Sequence, residues 1–165
     1  MRRVYLDQAE WIAFSKAAVG RPSDPRVAEA LEIARFGVEH GLVRFTLSST
    51  TYIETMNVRQ WRQREPLARV MGELSRYETI ANQRLLLAME LDFALQKRFG
   101  RPSTVRTVPV FGFGIAHAFG QRDLEQVQST ELRTRLQADR LLADWVRLHR
   151  EEAMLAGPPE DFPVA

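Results

Sequence analysis

The chain has 165 residues, 45% hydrophobic and 27% charged, with a formal charge of +2. Such a composition suits one soluble domain with a sizeable core, and it excludes disordered and collagenous classes. No apolar run approaches the roughly 20 residues of a membrane span. No cysteine is present, so disulfides, thiol nucleophiles and thiolate metal sites are excluded. His40, His117 and His149 are scattered without zinc spacing; a bound metal is therefore expected to prefer oxygen ligands, as Mg²⁺ or Mn²⁺ do. The positive charge is almost all arginine, Lys16 and Lys97 being the only lysines. Arginine suits bidentate phosphate contacts, although acids nearly balance the bases. Met1-Arg2-Arg3 runs into a strand-like segment without a signal-peptide core, and a cytoplasmic protein is expected.

Val4-Tyr5-Leu6-Asp7 opens the chain as a short strand that stops at an acid. Trp11, Ile12, Phe14, Ala18 and Val19 follow at helical spacing within Gln8 to Val19. Gly20-Arg21-Pro22-Ser23 stops that helix. Asp24-Pro25 restarts one, with Asp as N-cap and Pro at the first helical position. Val27, Leu31, Ala34 and Val38 share its face, and Gly41 suits its end. A second strand, Leu42 to Leu47, leads into Ser48-Ser49-Thr50-Thr51, any of which can cap a helix carrying Tyr52, Ile53 and Met56.

Farther on, Arg59, Arg62, Arg64 and Arg69 interleave with Trp61, and Pro66 is expected to break or restart the helix. Ser75 to Asn82 reads as a connection, and Leu85 to Phe99 as an amphipathic helix closed by Gly100 and Pro102. Thr104 to Phe111 is a weak strand demoted by Pro109. Phe111 to Gly120 reads as a tight loop packing three phenylalanines. Its G-x-G-x-x-G likeness fails at His117, a residue left as a candidate phosphate contact. A helical pattern from about 123 to 156 carries Leu132, Leu136, Leu141, Leu142, Trp145 and Leu148 on one stripe. Such a stripe suits core, a homodimer or a protein partner. The sum is a single α/β domain over 1–165: a small parallel sheet of Rossmann-type βαβ form, predominantly helical content and a long C-terminal helix.

Two strands joined through helices form a βαβ unit, with both C-terminal ends on one edge. Open parallel sheets place their chemistry at that edge. Asp7 and Glu54 are therefore expected to meet there and share a divalent metal. The competing structural uses are an N-cap for Asp7 and a surface or capping-box position for Glu54.

The opening Tyr-Leu-Asp-Gln…Trp-Ile, and the later Leu-Ser-x-x-x-Tyr-Ile-Glu at a strand-to-helix junction, resemble the PIN-domain nucleases, in a divergent PIN-like branch. The likeness covers residues 4–15 and 43–75. It implies a metal-dependent endoribonuclease acting on single-stranded RNA, often the toxin of a toxin–antitoxin pair or a defence component. Asp7 and Glu54 match the family's first two acids. Asp92, or its neighbour Glu90, is the nearest match to a third, and Ser48 to an assisting hydroxyl. Arg59, Arg62 and Arg64 would hold phosphates, with Trp61 stacking a base. The family's late strand ending in Thr-x-Asp has no counterpart, since Asp123, Asp139 and Asp144 follow no convincing strand. A non-catalytic PIN-like or helical interaction module is the alternative.

Overall fold

The computed structural model describes residues 1–100, 107–120 and 140–157. Its elements run β1 (Arg2–Tyr5), α1 (Gln8–Ala18), α2 (Pro25–Glu39), β2 (Val43–Thr46), α3 (Ser49–Met56), α4 (Trp61–Ser75), β3 (Glu78–Ile80), α5 (Gln83–Phe99), β4 (Phe111–Phe113), α6 (Gly114–Ala118) and α7 (Arg140–Ala156). The protein is mixed α/β and mostly helical, as the periodicities imply. β1 and β2 pair in parallel, Arg2 opposite Val43 through Tyr5 opposite Thr46, with α1 and α2 in the crossover. Local chemistry accounts for both helices. Asp7 accepts the Gln8 N–H at the start of α1, and Asp24 accepts the Arg26 N–H with Pro25 in the first turn of α2.

Four segments differ from the sequence reading. Ser75 to Asn82 is not a plain connection, because Glu78–Ile80 is a strand. Leu47 bridges Thr79 in parallel, through Leu47 N–H to the Glu78 carbonyl (2.9 Å) and Ile80 N–H to the Leu47 carbonyl (2.8 Å). Phe111–Phe113 pairs antiparallel with β3, and Gly114–Ala118 turns into α6. The expected loop is thus a strand and a short helix, with Phe111 and Phe113 exposed. The expected strand before it does not form over residues 107–110, and 104–106 lie outside the described residues. Pro66 does not break α4. The carbonyl that it leaves without a helical donor belongs to exposed Arg62, where water can satisfy it. Of the long C-terminal helix expected over about 123 to 156, only Arg140–Ala156 is described, as α7; its extension through 123–139 lies outside the described residues and is not supported.

Strand alternation divides the small sheet into two faces. Val4, Phe45 and Leu47 turn to the core, where Phe45 meets Trp11 edge to face at 6.0 Å and Leu31, Leu67, Met71 and Leu74 close around them. Arg3 and Arg44 are register partners on the other face. Two like charges set opposite one another repel, and Glu78, only 2% exposed, lies between them. Its Oε1 accepts from Arg3 Nε at 2.6 Å and its Oε2 from Arg44 Nη1 at 2.8 Å. The Arg3 guanidinium also stacks over Phe111 at 4.1 Å, so one cluster spans all four strands.

α4 is the central helix, packing against α1, α2, α3, α7 and β2. It buries Leu67, Ala68, Val70, Met71, Leu74 and Ser75. It ends in two successive left-handed residues, Arg76 (φ 49°) and Tyr77 (φ 57°). Ser75 holds this turn by donating to the Met71 carbonyl (2.6 Å) and accepting the Tyr77 N–H (2.9 Å). The Tyr77 ring then folds back over α4, and a Cβ on Gly72 would lie 2.5 Å from the Tyr77 hydroxyl oxygen. α5 begins at Asn82, which accepts the Arg84 N–H, and ends at left-handed Gly100. None of its residues is buried, and Leu87, Leu91, Phe93 and Phe99 are well exposed. Among the described residues no helix is long and apolar enough to cross a membrane.

Two substitutions test this frame. Glu78→Gln leaves two arginines face to face without their shared anion, and urea unfolding should show a loss of about 1–3 kcal/mol, less than for fully enclosed pairs because both arginines are partly exposed. Gly72→Ala raises helix propensity by about 1 kcal/mol yet should lower the melting temperature, since the methyl group displaces Tyr77.

Candidate functional site

The parallel register determines what reaches the C-terminal edge of the sheet. Tyr5 and Thr46 are the last paired residues, and the chain continues through Leu6 to Asp7 on one strand and through Leu47 to Ser48 on the other. Asp7 and Ser48 thus emerge side by side at one edge, each as the N-cap of a helix. Asp7 is exposed, and its Oδ1 accepts the Gln8 N–H at 2.8 Å. Ser48 Oγ accepts the Thr51 N–H at 3.2 Å, while Thr51 Oγ1 accepts the Ser48 N–H at 3.3 Å, a reciprocal cap within α3. The Tyr5 hydroxyl lies 3.2 Å from Ser48 Oγ and ties the strand end to that cap.

Glu54 sits in the second turn of α3. Thr51, Tyr52 and Thr55 point inward from this helix, and Glu54 is exposed. α1 and α3 are joined by Gln8 Nε2 donating to Thr55 Oγ1 at 3.4 Å, so the helix carrying Asp7 and the helix carrying Glu54 are neighbours. The other amide atom, Gln8 Oε1, is buried with no partner among the described residues. Glu90 and Asp92 lie midway along α5, the first exposed and the second half-buried. Two positions apart on a helix, they point in nearly opposite directions. Among the described residues, no three His, Asp or Glu side chains are gathered to hold a metal ion.

The arginines divide by environment. Arg59 and Arg62 are exposed, at the entry to α4 and in its first turn. Arg64 is half-buried, and its Nε donates to the Ala156 carbonyl at 2.8 Å, fastening α4 to the end of α7. Trp61 is half-buried, whereas Trp11 is the tryptophan of the core. His117 is held at both ring nitrogens. Nδ1 lies 2.7 Å from the Thr79 hydroxyl and Nε2 2.9 Å from the Pro109 carbonyl. The tautomer that satisfies both contacts carries its proton on Nε2 and accepts from Thr79. This use braces β3 against the segment before β4.

Buried ionisable groups lie elsewhere, where sequence reasoning did not look. Glu151 of α7 is 4% exposed and accepts from the Tyr52 hydroxyl (3.2 Å) and the Ile115 N–H (2.9 Å). A Cβ on Gly114 (φ +78°) would stand 2.6 Å from its Oε1, so the close approach requires glycine there. Burial, and then the negative charge of Glu151, push the Tyr52 phenol well above its ordinary value. Burial, and then Glu152 and Glu151, push Tyr77 the same way. The only sequence signal was that an acid at 151 interrupts a pattern continuing to Leu155 and Ala156.

These shifts have a definite sign. Both tyrosines are held neutral in the folded state, so their contribution is complete below the unfolded-state pKa of about 10. It declines as pH rises beyond that point towards the raised folded values, because the unfolded chain releases protons that the folded chain keeps. Alkaline titration followed at once by tyrosinate absorbance and circular dichroism should show Tyr52 and Tyr77 ionising together with unfolding. Y52F/Y77F should flatten the loss of stability above pH ~10.

Compared with known proteins, the chain matches no family model, no curated protein and no solved structure.

Proposed function

We propose that this chain is a PIN-like, metal-dependent endoribonuclease that hydrolyses phosphodiester bonds of single-stranded RNA. The observation that carries the reading is the parallel pairing of β1 with β2, which delivers Asp7 and Ser48 to the same sheet edge beside the helix bearing Glu54. The donor chemistry fits a hard divalent ion. Asp7 spends one carboxylate oxygen on its cap and keeps the other, Glu54 is exposed, and Gln8, the residue after Asp7, has a buried Oε1 without a partner among the described residues. Mg²⁺ is commonly held by one or two carboxylates, with water and substrate phosphate completing its shell. Asp7 and Glu54 would hold Mg²⁺ or Mn²⁺, and Asp92 or Glu90 would serve as the further acid that the family resemblance implies.

When bound, such an ion lowers the pKa of a coordinated water and steadies charge on the leaving oxygen. The chain's own residues supply the rest. The Ser48 hydroxyl, held between Tyr5 and Thr51, is a fixed polar contact for a phosphate at the edge. Arg59 and Arg62 are exposed and would neutralise the RNA backbone, whereas Arg64 would have to leave the Ala156 carbonyl to do so. A toxin-like or defence role belongs to the same resemblance. The alternative, a non-catalytic interaction module, draws on the exposed apolar residues of α5 and on the absence of a three-residue ligand group among the described residues.

Asparagine caps helices about as well as aspartate, so Asp7→Asn separates chemistry from folding. With Mn²⁺ and a labelled single-stranded RNA, wild type should cleave, while Asp7→Asn and Glu54→Gln should each lose about 10²-fold or more, the scale of removing one electrostatic catalytic group. Melting temperatures should stay close to wild type. If all three cut alike, or none cuts, the interaction-module reading replaces the nuclease.

A further inference from the structure

α1 and α4 diverge around a groove of about 470 Å³ that the proposed chemistry does not use. Ile12, Val19 and Leu67 supply apolar wall, while Lys16, Arg21 and Arg62 supply cations. No acidic residue lines the groove, and none of these three cations has an acidic partner among the described residues. An occupant that satisfies both features is apolar in body and negative in charge. Among the described residues no aromatic side chain lines the groove, and the stacking platform that holds single-stranded bases is not found there. Its aliphatic wall and cationic rim favour an acidic peptide with bulky apolar side chains.

The chain carries such a segment. Pro158-Pro159-Glu160-Asp161-Phe162-Pro163-Val164 places two acids directly before Phe162 and Val164. It also departs from the right place. Gly157 stands against the Arg64 guanidinium, where a Cβ would lie 3.2 Å from Nη2, and Arg64 is within two residues of Arg62 and Gln63 of the groove. From Gly157 to Glu160 three extended residues reach roughly 10 Å, about the width of a helix with its side chains, and the long side chains of Glu160 and Arg62 add to that reach. The segment can therefore cross α4 from its α7 side to its α1 side. Its prolines reduce the conformational freedom lost on docking.

We propose that residues 158–164 dock in cis into the α1–α4 groove, with Glu160 and Asp161 meeting Lys16, Arg21 and Arg62, and Phe162 and Val164 on the apolar wall. The proposal is independent of the nuclease reading. Occupancy would also engage Arg62, one of the two exposed arginines offered to RNA above.

The absence of native cysteine permits a direct test on the full chain. A nitroxide attached through Val164→Cys should broaden the methyl signals of Ile12, Val19 and Leu67, relative to a diamagnetic label at the same site. The broadening should be lost in Lys16→Glu/Arg62→Glu, whose side chains are exposed and whose fold is checked by its amide spectrum. It should weaken as salt rises towards about 1 M, which screens exposed pairs. Methyl signals that stay sharp in the wild-type background overturn the proposal. So does broadening that ignores both charge reversal and salt. Broadening seen only when a nitroxide-labelled copy is mixed with a separate isotope-labelled copy also overturns it, by assigning the groove to a second chain.

Discussion

The arrangement of this protein depends on a single buried carboxylate. Parallel pairing of two strands that each carry arginine at matched register sets Arg3 and Arg44 in mutual repulsion unless an anion stands between them. Glu78 supplies the missing charge, and being nearly inaccessible to water it makes those contacts stronger than surface pairs would be. In doing so it brings β3 to the sheet, and β4 follows because it pairs with β3 and lays Phe111 under Arg3. Four strands of only three or four residues could not hold together through backbone hydrogen bonds alone. Side chains that cross between them supply the cohesion.

The second constraint is how α4 hands the chain to β3. A helix ending in two left-handed, non-glycine residues is unfavourable in isolation. It is held by the Ser75 hydroxyl, the buried Tyr77 ring and the space left by Gly72. This turn aims Glu78 at the arginines. α7 then closes the opposite side of α4, with Glu151 reaching across to Tyr52 and the first turn of α6. Carboxylates placed in the interior thus organise both flanks, while those at the sheet edge remain available to solvent and to ligands.

What could be read from the sequence was whatever local chemistry decides. Asp24-Pro25, Asp7 and Gly100 mark helix ends through backbone hydrogen bonds and φ preferences, and the structure uses them in those roles. The parallel pair was legible because Val4-Tyr5-Leu6 and Val43 to Leu47 are short runs rich in β-branched and aromatic residues, each stopping at a polar residue, and are separated by helical spacing. β3 was not, since Glu-Thr-Ile has no pattern of its own and its burial is secured by arginines 34 and 75 positions away. Pro66 misled because the rule against proline concerns a missing hydrogen bond, and at exposed Arg62 that loss costs little. For the candidate site, the placement of Asp7 and Ser48 at one edge follows from topology. Two outcomes were beyond reach: the engagement of Arg64 with a backbone carbonyl 92 positions on, and the engagement of His117 at both nitrogens. Ala156 and Thr79 are distant in the chain, and Pro109 offers only a backbone carbonyl, so these contacts leave no mark in local composition.

One last consequence concerns β1. It pairs with β2 on one side, and among the described residues its other side has no neighbouring strand. An open row of backbone donors and acceptors invites a foreign strand to add itself, the route by which sheets polymerise. Here the row is only four residues long and begins with Arg2 and Arg3. A second copy approaching edge to edge would bring its own arginines against them, with Glu78 already committed. The charges that Glu78 reconciles within the molecule therefore also guard its margin, keeping a bare strand from becoming a template for fibres.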